Sequence, residues 1–502
     1  MKKNIILAYG LSLLMLTGCS NLDENVYSDI DMNNFFKTES ELVANAGRAY
    51  TKLQAYNQEQ SLWTLLIQTS DECAVPAHGG SWYSNRRYQE LQTNKIPAAN
   101  KLVKKGWNFL FNGIAACNEI IYETQLSSVE IPGKDKLISE MKVLRAFFYY
   151  EAMANWGNVP FSIDYTDTSY PVQKDRKFIY DFILTEINDN IGNLDAKPTS
   201  GNYGRLTQDA ARCLLAKMYL NAATWFGQSS AAYDKAEQVC LQIINGHNYS
   251  IENDYSTNFA INNEVSKENI FVIPYDNVYT SSWDTGLITY VLTLDGKSSK
   301  YYNIGDAWDG FICEPDFYQK YASNDTRKDQ SWLIGGEKYG FTYKPVFDES
   351  KYYNSNGGRA DDEGARCIKW PYQTDGTLTG GDASQNNDFA IFRYADVVLM
   401  YEEALLRQKK SPVIIDALTK IRTRANQEPY TTSTLTLEEL YNERGRELAW
   451  EGWRHEDMIR FGTYLKQYWA HPDQSSETFR NLFPIPADVL NSNPNLVPNP
   501  GY

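Results

Sequence analysis

Residues 136–157 read KLISEMKVLRAFFYYEAMANWG. Leu137, Met141, Leu144, Phe148 and Ala152 recur at spacings of three and four, which places them on one face of a helix. A second stripe of Val143, Phe147 and Tyr150 makes this predicted helix apolar over more than half its girth. Such a helix is expected to lie buried between neighbours. Trp156-Gly157 and Pro160 end it.

The same period recurs on both sides. In residues 205–227, Thr207 is the expected N-cap, Ala211, Leu214, Leu215, Met218, Tyr219 and Ala222 form the apolar face, and Gly227 closes it. Residues 231–246 supply a partner helix through Ala232, Ala236, Val239, Cys240 and Ile243. A third segment, DFAIFRYADVVLMYEEALLRQ at 388–408, carries Tyr394, Val397, Val398, Tyr401, Ala404 and Leu405, and a helix opening at Ser411-Pro412 follows. A fourth, at 436–462, opens with a capping box from Thr436 to Glu439. Segments 41–70 and 101–124 also read as helices. The expectation is a mainly α fold, a tetratricopeptide-like scaffold of helical hairpins whose repeat is too irregular to read directly.

Between about 249 and 388 the texture changes to Gly, Asn, Asp, Ser and Tyr. NIFVIPY reads as a short strand and EPDFYQKYA as a short helix. The rest is predicted to be a loop-rich region carrying short strands on the helical base, the usual location of binding residues.

The N-terminus reads MKKNIILAYGLSLLMLTGCSN. Lys2 and Lys3 precede an apolar stretch from Ile5 to Leu16, and LTGC closes it. By length and flanks this reads as a signal peptide over 1–18, too short to span a membrane comfortably. Its LTGC ending resembles a bacterial lipoprotein signal, which implies Cys19 as the lipidated first residue of the mature chain, the alternative being an ordinary signal with a chance Cys. A polar tether to about residue 40 and one domain over 41–502 follow. The full chain carries −15; removing 1–18 takes away Lys2 and Lys3 and no acid, leaving −17. An acidic chain without a basic run is a poor nucleic-acid binder. The six other cysteines contain no CxxC pair, so no zinc or redox motif is expected, and no cofactor.

Tyr, at 36, and Trp, at 12, are abundant. The tryptophans in or beside helical segments (Trp63, Trp107, Trp156, Trp225, Trp450, Trp453 and Trp469) read as core, and Trp370 is ambiguous. Trp82, Trp283, Trp308 and Trp332 sit in loop-like settings beside Gly, Ser or Asp, with no apolar period. A flat ring can cover the apolar C–H face of a sugar and leave its hydroxyls to polar neighbours.

Several stretches together resemble the SusD/RagB family of outer-membrane nutrient-binding lipoproteins. They are LTGCS, LRAFFYYEAMANWGNVP, GRLTQDAARCLLAKMYLNAA, FRYADVVLMYEEAL, ERGRELAWEGWRHEDMIRFG and FPIPADVLNSNPNLVPNPGY, spread over nearly the whole chain. The resemblance implies a non-catalytic protein anchored by lipid to the outer membrane. It also implies a glycan ligand and a SusC-like TonB-dependent transporter as partner. Ligands in this family rest on aromatics from the loop after the early helices and from the middle region. Those regions here contain Trp82, Trp283 and Trp308, with Trp332, Tyr83, Tyr279, Tyr301 and Tyr302 as weaker candidates. Arg86, Asn85, Asp284 and Asp309 are candidates for hydroxyl hydrogen bonds. A flat platform suits β-linked plant glucans or xyloglucan; a curved one suits helical α-glucans. The competing readings are a structural lid without a ligand of its own and a peptide-binding member.

One constellation invites an enzyme reading. Glu443, Glu447, Glu451 and His455 are spaced by four, which on one helix would align three carboxylates and an imidazole for a metal or acid–base site. The preferred reading is a structural ion network with Arg444, Arg446, Arg454 and Arg460. No GxSxG, HExxH or complete P-loop occurs. Nothing singles out the two carboxylates that a glycoside hydrolase needs.

Overall fold

The computed structural model describes residues 36–502 except 79, 128–129, 228–229, 281, 283, 347–357, 373–384 and 469–474. The leader, Cys19, Trp283 and Trp469 therefore lie outside the described residues. The scaffold is built from α1 (Glu39–Tyr50), α2 (Leu62–Gln68), α3 (Lys101–Leu126), α4 (Lys134–Trp156), α5 (Arg176–Asn190), α6 (Gln208–Phe226) and α7 (Ser230–Gly246). It continues, after the loop-rich region, in α8 (Tyr394–Arg407), α9 (Asp416–Thr423), α10 (Leu437–Glu447) and α11 (Arg454–Arg460). Helix α3 packs on α4, α4 on α5, α6 on α7 and α7 on α8, so helical hairpins lie side by side. The fold is mainly α, as the periodicity indicates.

Helix α4 is the axis of the core. Both of its apolar stripes are buried, from Leu137 to Ala152. Gly113 of α3 lies where the two helices come closest, because the Phe148 ring occupies the space a Cβ would need. Helix α4 stops at Gly157, which takes φ 76°, a left-handed conformation that glycine adopts freely. Helix α6 opens where the Thr207 hydroxyl accepts from the Ala210 N–H at 3.3 Å, and closes at Gly227 with φ 70°.

Four boundaries differ from the sequence reading, the first being 41–70, which divides into α1, a 3-10 stretch at Thr51–Tyr56 and α2. Residues 388–408 are not all helix. Phe389–Arg393 is a strand, β2, paired antiparallel with β1 (Asn269–Ile273), and all five of its residues are buried. Its apolar run satisfies either structure, and pairing with β1 selects the strand. The helix expected at Ser411-Pro412 begins at Asp416 instead, with the Val413 N–H held by Glu402 at 3.2 Å. The stretch 436–462 is broken. Helix α10 ends at Glu447, Trp450 takes φ 59° and Gly452 φ 88°, and α11 starts at Arg454.

That break takes Glu451 and His455 off the face of Glu443 and Glu447. The glutamates do form a buried ion network, but mostly with other partners than the neighbouring arginines. Glu443 meets Arg327 at 2.9 Å, Arg422 at 2.8 Å and Arg446 at 2.6 Å. Glu447 meets Arg424 at 2.6 Å and Arg327 at 3.0 Å. Glu451 meets Lys369 at 2.6 Å and Arg393 at 2.7 Å. Arg444 turns to Asp396 and Asp457, Arg454 to Asp71, and Arg460 to Glu403. Burial opposes ionisation of Glu443, yet Arg327, Arg446 and Arg422 hold it well below the usual carboxylate range. Burial pushes His455 down to about 3, and its ring is fixed by the Thr69 hydroxyl at 2.9 Å and by Phe483. A neutral imidazole and saturated carboxylates make a brace for the scaffold.

Candidate functional site

The site region begins at the loop after α2. Its backbone is unusual: Trp82, Ser84, Asn85 and Arg86 take φ of 61°, 43°, 56° and 68°. Left-handed backbone costs a non-glycine residue roughly 1–2 kcal/mol. Four such residues persist only where the surroundings hold them, and such strain gathers at functional loops. Here the hold is visible. His78 and Ser81 exchange backbone hydrogen bonds at 2.9 and 2.7 Å. The Trp82 indole donates to the Trp308 carbonyl at 2.8 Å, and its ring lies against Gly310, Phe311 and Tyr88.

Trp82 is thus half-buried, with one edge seated on the scaffold, and not the free exposed ring its loop setting suggests. Trp308 is also half-buried; its indole donates to Asp306 at 3.1 Å. Asp309 serves the protein: Arg359 at 2.6 Å and Arg366 at 2.8 Å share its Oδ1, and His78 Nδ1 lies 3.4 Å from Oδ2. Its expected role as a partner for sugar hydroxyls gives way to this cross-link. Trp332 is 2% exposed, stacked edge-on against Trp450 and Phe317. It sits in a short strand paired with Arg366–Cys367, which turns the ring inward, so it is core and not a ligand residue. Arg86 is exposed, and its side chain has no partner among the described residues; Asp284 is exposed and Tyr83 half-buried.

A cleft of about 570 Å³ opens beside this loop cluster, lined by Tyr290, Leu294, Tyr301, Tyr302, Asn303, Ile368, Trp370, Pro371 and Tyr372. Tyr290 and Tyr372 pack with ring centroids 4.7 Å apart, and Tyr301 and Tyr302 at 5.0 Å. Trp370 and Tyr290 are buried in its floor, while Tyr301 is 41% exposed at its rim. Helix formation places the rim: the Asp295 side chain and Ser298 form a capping box, and Tyr301 and Tyr302 end the helix Gly296–Tyr302. The helix Thr289–Thr293 links the two features. Its carbonyls at Val291 and Leu292, with that of Leu294 just beyond, accept from the N–H groups of Trp308, Gly310 and Asp309, while Tyr290 and Leu294 face the cleft.

The sequence reading included Tyr301 and Tyr302 and missed Tyr290, Asn303 and Tyr372. Tyr372 carries only the Pro371 beside it as a signal, and Tyr290 none. Among the described residues no group of three or more His, Cys, Asp or Glu side chains is placed to hold a metal ion. The six described cysteines are free and buried. No described helix is long and apolar enough to cross a membrane.

A helical-hairpin scaffold topped by loops that hold an aromatic cleft is the architecture of a binding protein. The chain belongs to the SusD family, whose family model matches residues 237–502; a second model, described as starch-binding associating with outer membrane, matches 22–220. It is 26% identical over 409 residues to the starch-binding protein SusD of Bacteroides thetaiotaomicron, covering 72% of each chain. Its fold is similar to surface glycan-binding protein A from Bacteroides fluxus, with a TM-score of 0.77 at 20% identity over 93% of this chain and 100% of that one. The Bacteroides thetaiotaomicron protein of that name, solved with laminarihexaose, superposes with a TM-score of 0.74 at 20% identity, over 92% of this chain and 100% of that one.

Proposed function

We propose that this protein is a cell-surface glycan-binding lipoprotein. It captures a polysaccharide or oligosaccharide and delivers it to a SusC-like TonB-dependent transporter, without catalysing a reaction. Residues 1–18 are its leader and Cys19 its lipid anchor in the outer membrane. The observation that carries the reading is the open aromatic cleft of about 570 Å³ beside the strained Trp82–Arg86 loop. Tyr301, Tyr302 and Tyr372 offer ring faces to sugar C–H surfaces, and Asn303 offers hydrogen bonds. Arg86, Asp284, Trp82, Tyr83 and Trp308 are proposed as further ligand contacts although none of them lines the cleft, and Trp283, outside the described residues, is proposed on its sequence setting alone. Family membership supports the reading, as do the starch-binding relative and the similar fold solved with an oligosaccharide.

A shallow site on a hydrated ligand is expected to bind with a Kd of roughly micromolar to millimolar. Isothermal titration of the chain truncated after Cys19 against plant, fungal and host polysaccharides tests this. Binding to one polymer class, lost in Tyr302→Ala and Tyr372→Ala and without release of reducing ends, is the expected result. Binding that survives both variants moves the site elsewhere; no binding to any polymer returns the structural-lid reading.

A further inference from the structure

A second cleft opens in the helical scaffold, where the last turns of α4 and α6 meet the start of α5 and of α11. No residue of the 249–388 region lines it. It encloses about 160 Å³, and at ~30 Å³ per water holds about five waters or one small organic molecule. Thr224 and Thr478 are exposed at its mouth; Glu151 and Asn155 are buried behind them.

The charges around this cleft do not balance. Arg176 donates through Nε and Nη2 to the Met153 and Ala154 carbonyls at 2.9–3.2 Å, and its guanidinium lies over the Trp225 ring at 5.4 Å. Among the described residues Arg176 has no carboxylate partner, and its Nη1 has no acceptor. Burial pulls its guanidinium down to about 10. Arg176 is half-buried and lines the cleft, so a guanidinium without a protein counter-ion is open to a ligand there. Glu456 also lines the cleft, but its carboxylate is engaged by the Tyr150 hydroxyl, by Arg460 at 3.1 Å and by Lys217 at 3.7 Å.

Glu151 completes the picture. It is 3% exposed, and Oε2 accepts from Asn155 Nδ2 at 3.2 Å, while Oε1 has no partner among the described residues. Burial first, then Glu456, pushes its carboxyl up to about 8, so at neutral pH it presents an O–H. A guanidinium without a carboxylate partner and a neutral carboxylic acid lining the same cleft complement an anion with two oxygens. A neutral polyol would leave the guanidinium without a counter-ion.

We infer that this scaffold cleft binds a small organic carboxylate, with Arg176 as its counter-ion, Glu151 as a hydrogen-bond donor and Trp225 as the apolar wall. The site is separate from the loop cleft and does not depend on the glycan reading.

The test is ligand-observed NMR and titration calorimetry of the purified protein at pH 7 with acetate and lactate, against lactamide and glycerol. Lactate is expected to bind at least about tenfold more tightly than lactamide, the equivalent of one charge-assisted hydrogen bond. Arg176→Gln is expected to lose that preference, Arg176→Lys to keep part of it, and Tyr372→Ala in the loop cleft to leave it intact. Circular dichroism melts report whether each variant folds. Equal binding of lactate and lactamide overturns the inference, as does no binding of either, or a folded Arg176→Gln protein that binds lactate like the wild type. Should Arg176→Gln not fold, the lactate–lactamide comparison on the wild type and on Arg176→Lys decides.

Discussion

The indole Nε1 of Trp82 donates a 2.8 Å hydrogen bond to the backbone carbonyl of Trp308, across 226 residues of chain. One bond thereby joins the strained early loop to the middle loop region. Trp82→Phe, which keeps a ring and deletes the bond, is expected to cost about 1 kcal/mol in urea unfolding. Trp82→Ala, which also strips Phe311 and Tyr88 of a neighbour, is expected to cost about 3 kcal/mol. If both variants unfold like the wild type, Trp82 is not an anchor.

Gly310 lies directly beneath that indole, where an added Cβ would enter the ring's own space. Gly310→Ala should therefore displace Trp82 and destabilise by about 1–3 kcal/mol, the usual cost of overpacking. Near-ultraviolet circular dichroism would register the moved indole. Gly296→Ala is the control: its Cβ meets open space at a helix start, and stability should hold or rise slightly.

Arg393 joins Glu268, Glu447 and Glu451, all buried, and so ties β2 to β1 and to the end of α10. Removing one member of such a network strands the opposite charges. Arg393→Met is expected to cost about 3–5 kcal/mol by denaturant unfolding. A loss below 1 kcal/mol would mean that water enters the network and rescues the glutamates.

Stability should depend on pH in two opposite senses. Burial pushes Glu72, Glu151 and Glu402 up to about 8. The folded state therefore binds their protons more tightly than the unfolded chain, and stability rises as pH falls from above 8 towards the ordinary carboxylate range. Burial holds His455 down at about 3 and opposes part of that gain below its ordinary value near 6.5. For Glu268 and Glu403 burial is outweighed, by Arg424 and Arg393 and by Arg460 and Arg407, which hold both at about 2. Their contribution is complete above the ordinary carboxylate value and is lost as pH falls towards 2. Melting temperatures should climb from pH 8.5 to about 5.5 and drop below about 4.5. Glu402→Gln should flatten the upper limb, and an unchanged slope there would show that Glu402 is already ionised in the folded protein.

The periodicity of the sequence was enough for the scaffold. Helices α4 and α6 begin, face the core and end where their apolar stripes, Thr207, Gly157 and Gly227 indicate, because helix geometry depends on residues three and four apart. Three of the boundaries that failed, at Phe389–Arg393, Ser411-Pro412 and Leu448–Trp453, are places where distant partners outvote local pattern. The charged network was legible in kind but not in partners. Glu447 finds Arg327, Arg393 and Arg424 because tertiary packing brings α10 against them.

The candidate site was least legible, and for a physical reason. Trp82, Trp308 and Trp332 have indistinguishable polar settings in the chain. One became an anchor, one a half-buried neighbour and one a core residue, according to which ring, glycine or carbonyl the fold placed beside it. The cleft of Tyr290, Tyr301, Tyr302, Trp370 and Tyr372 combines two stretches some 70 residues apart, and no spacing rule connects them. Composition by itself determined that the chain is rich in aromatic rings. Only the tertiary structure decided which rings remain available, because exposure belongs to a ring's neighbours in space and not to its neighbours in sequence.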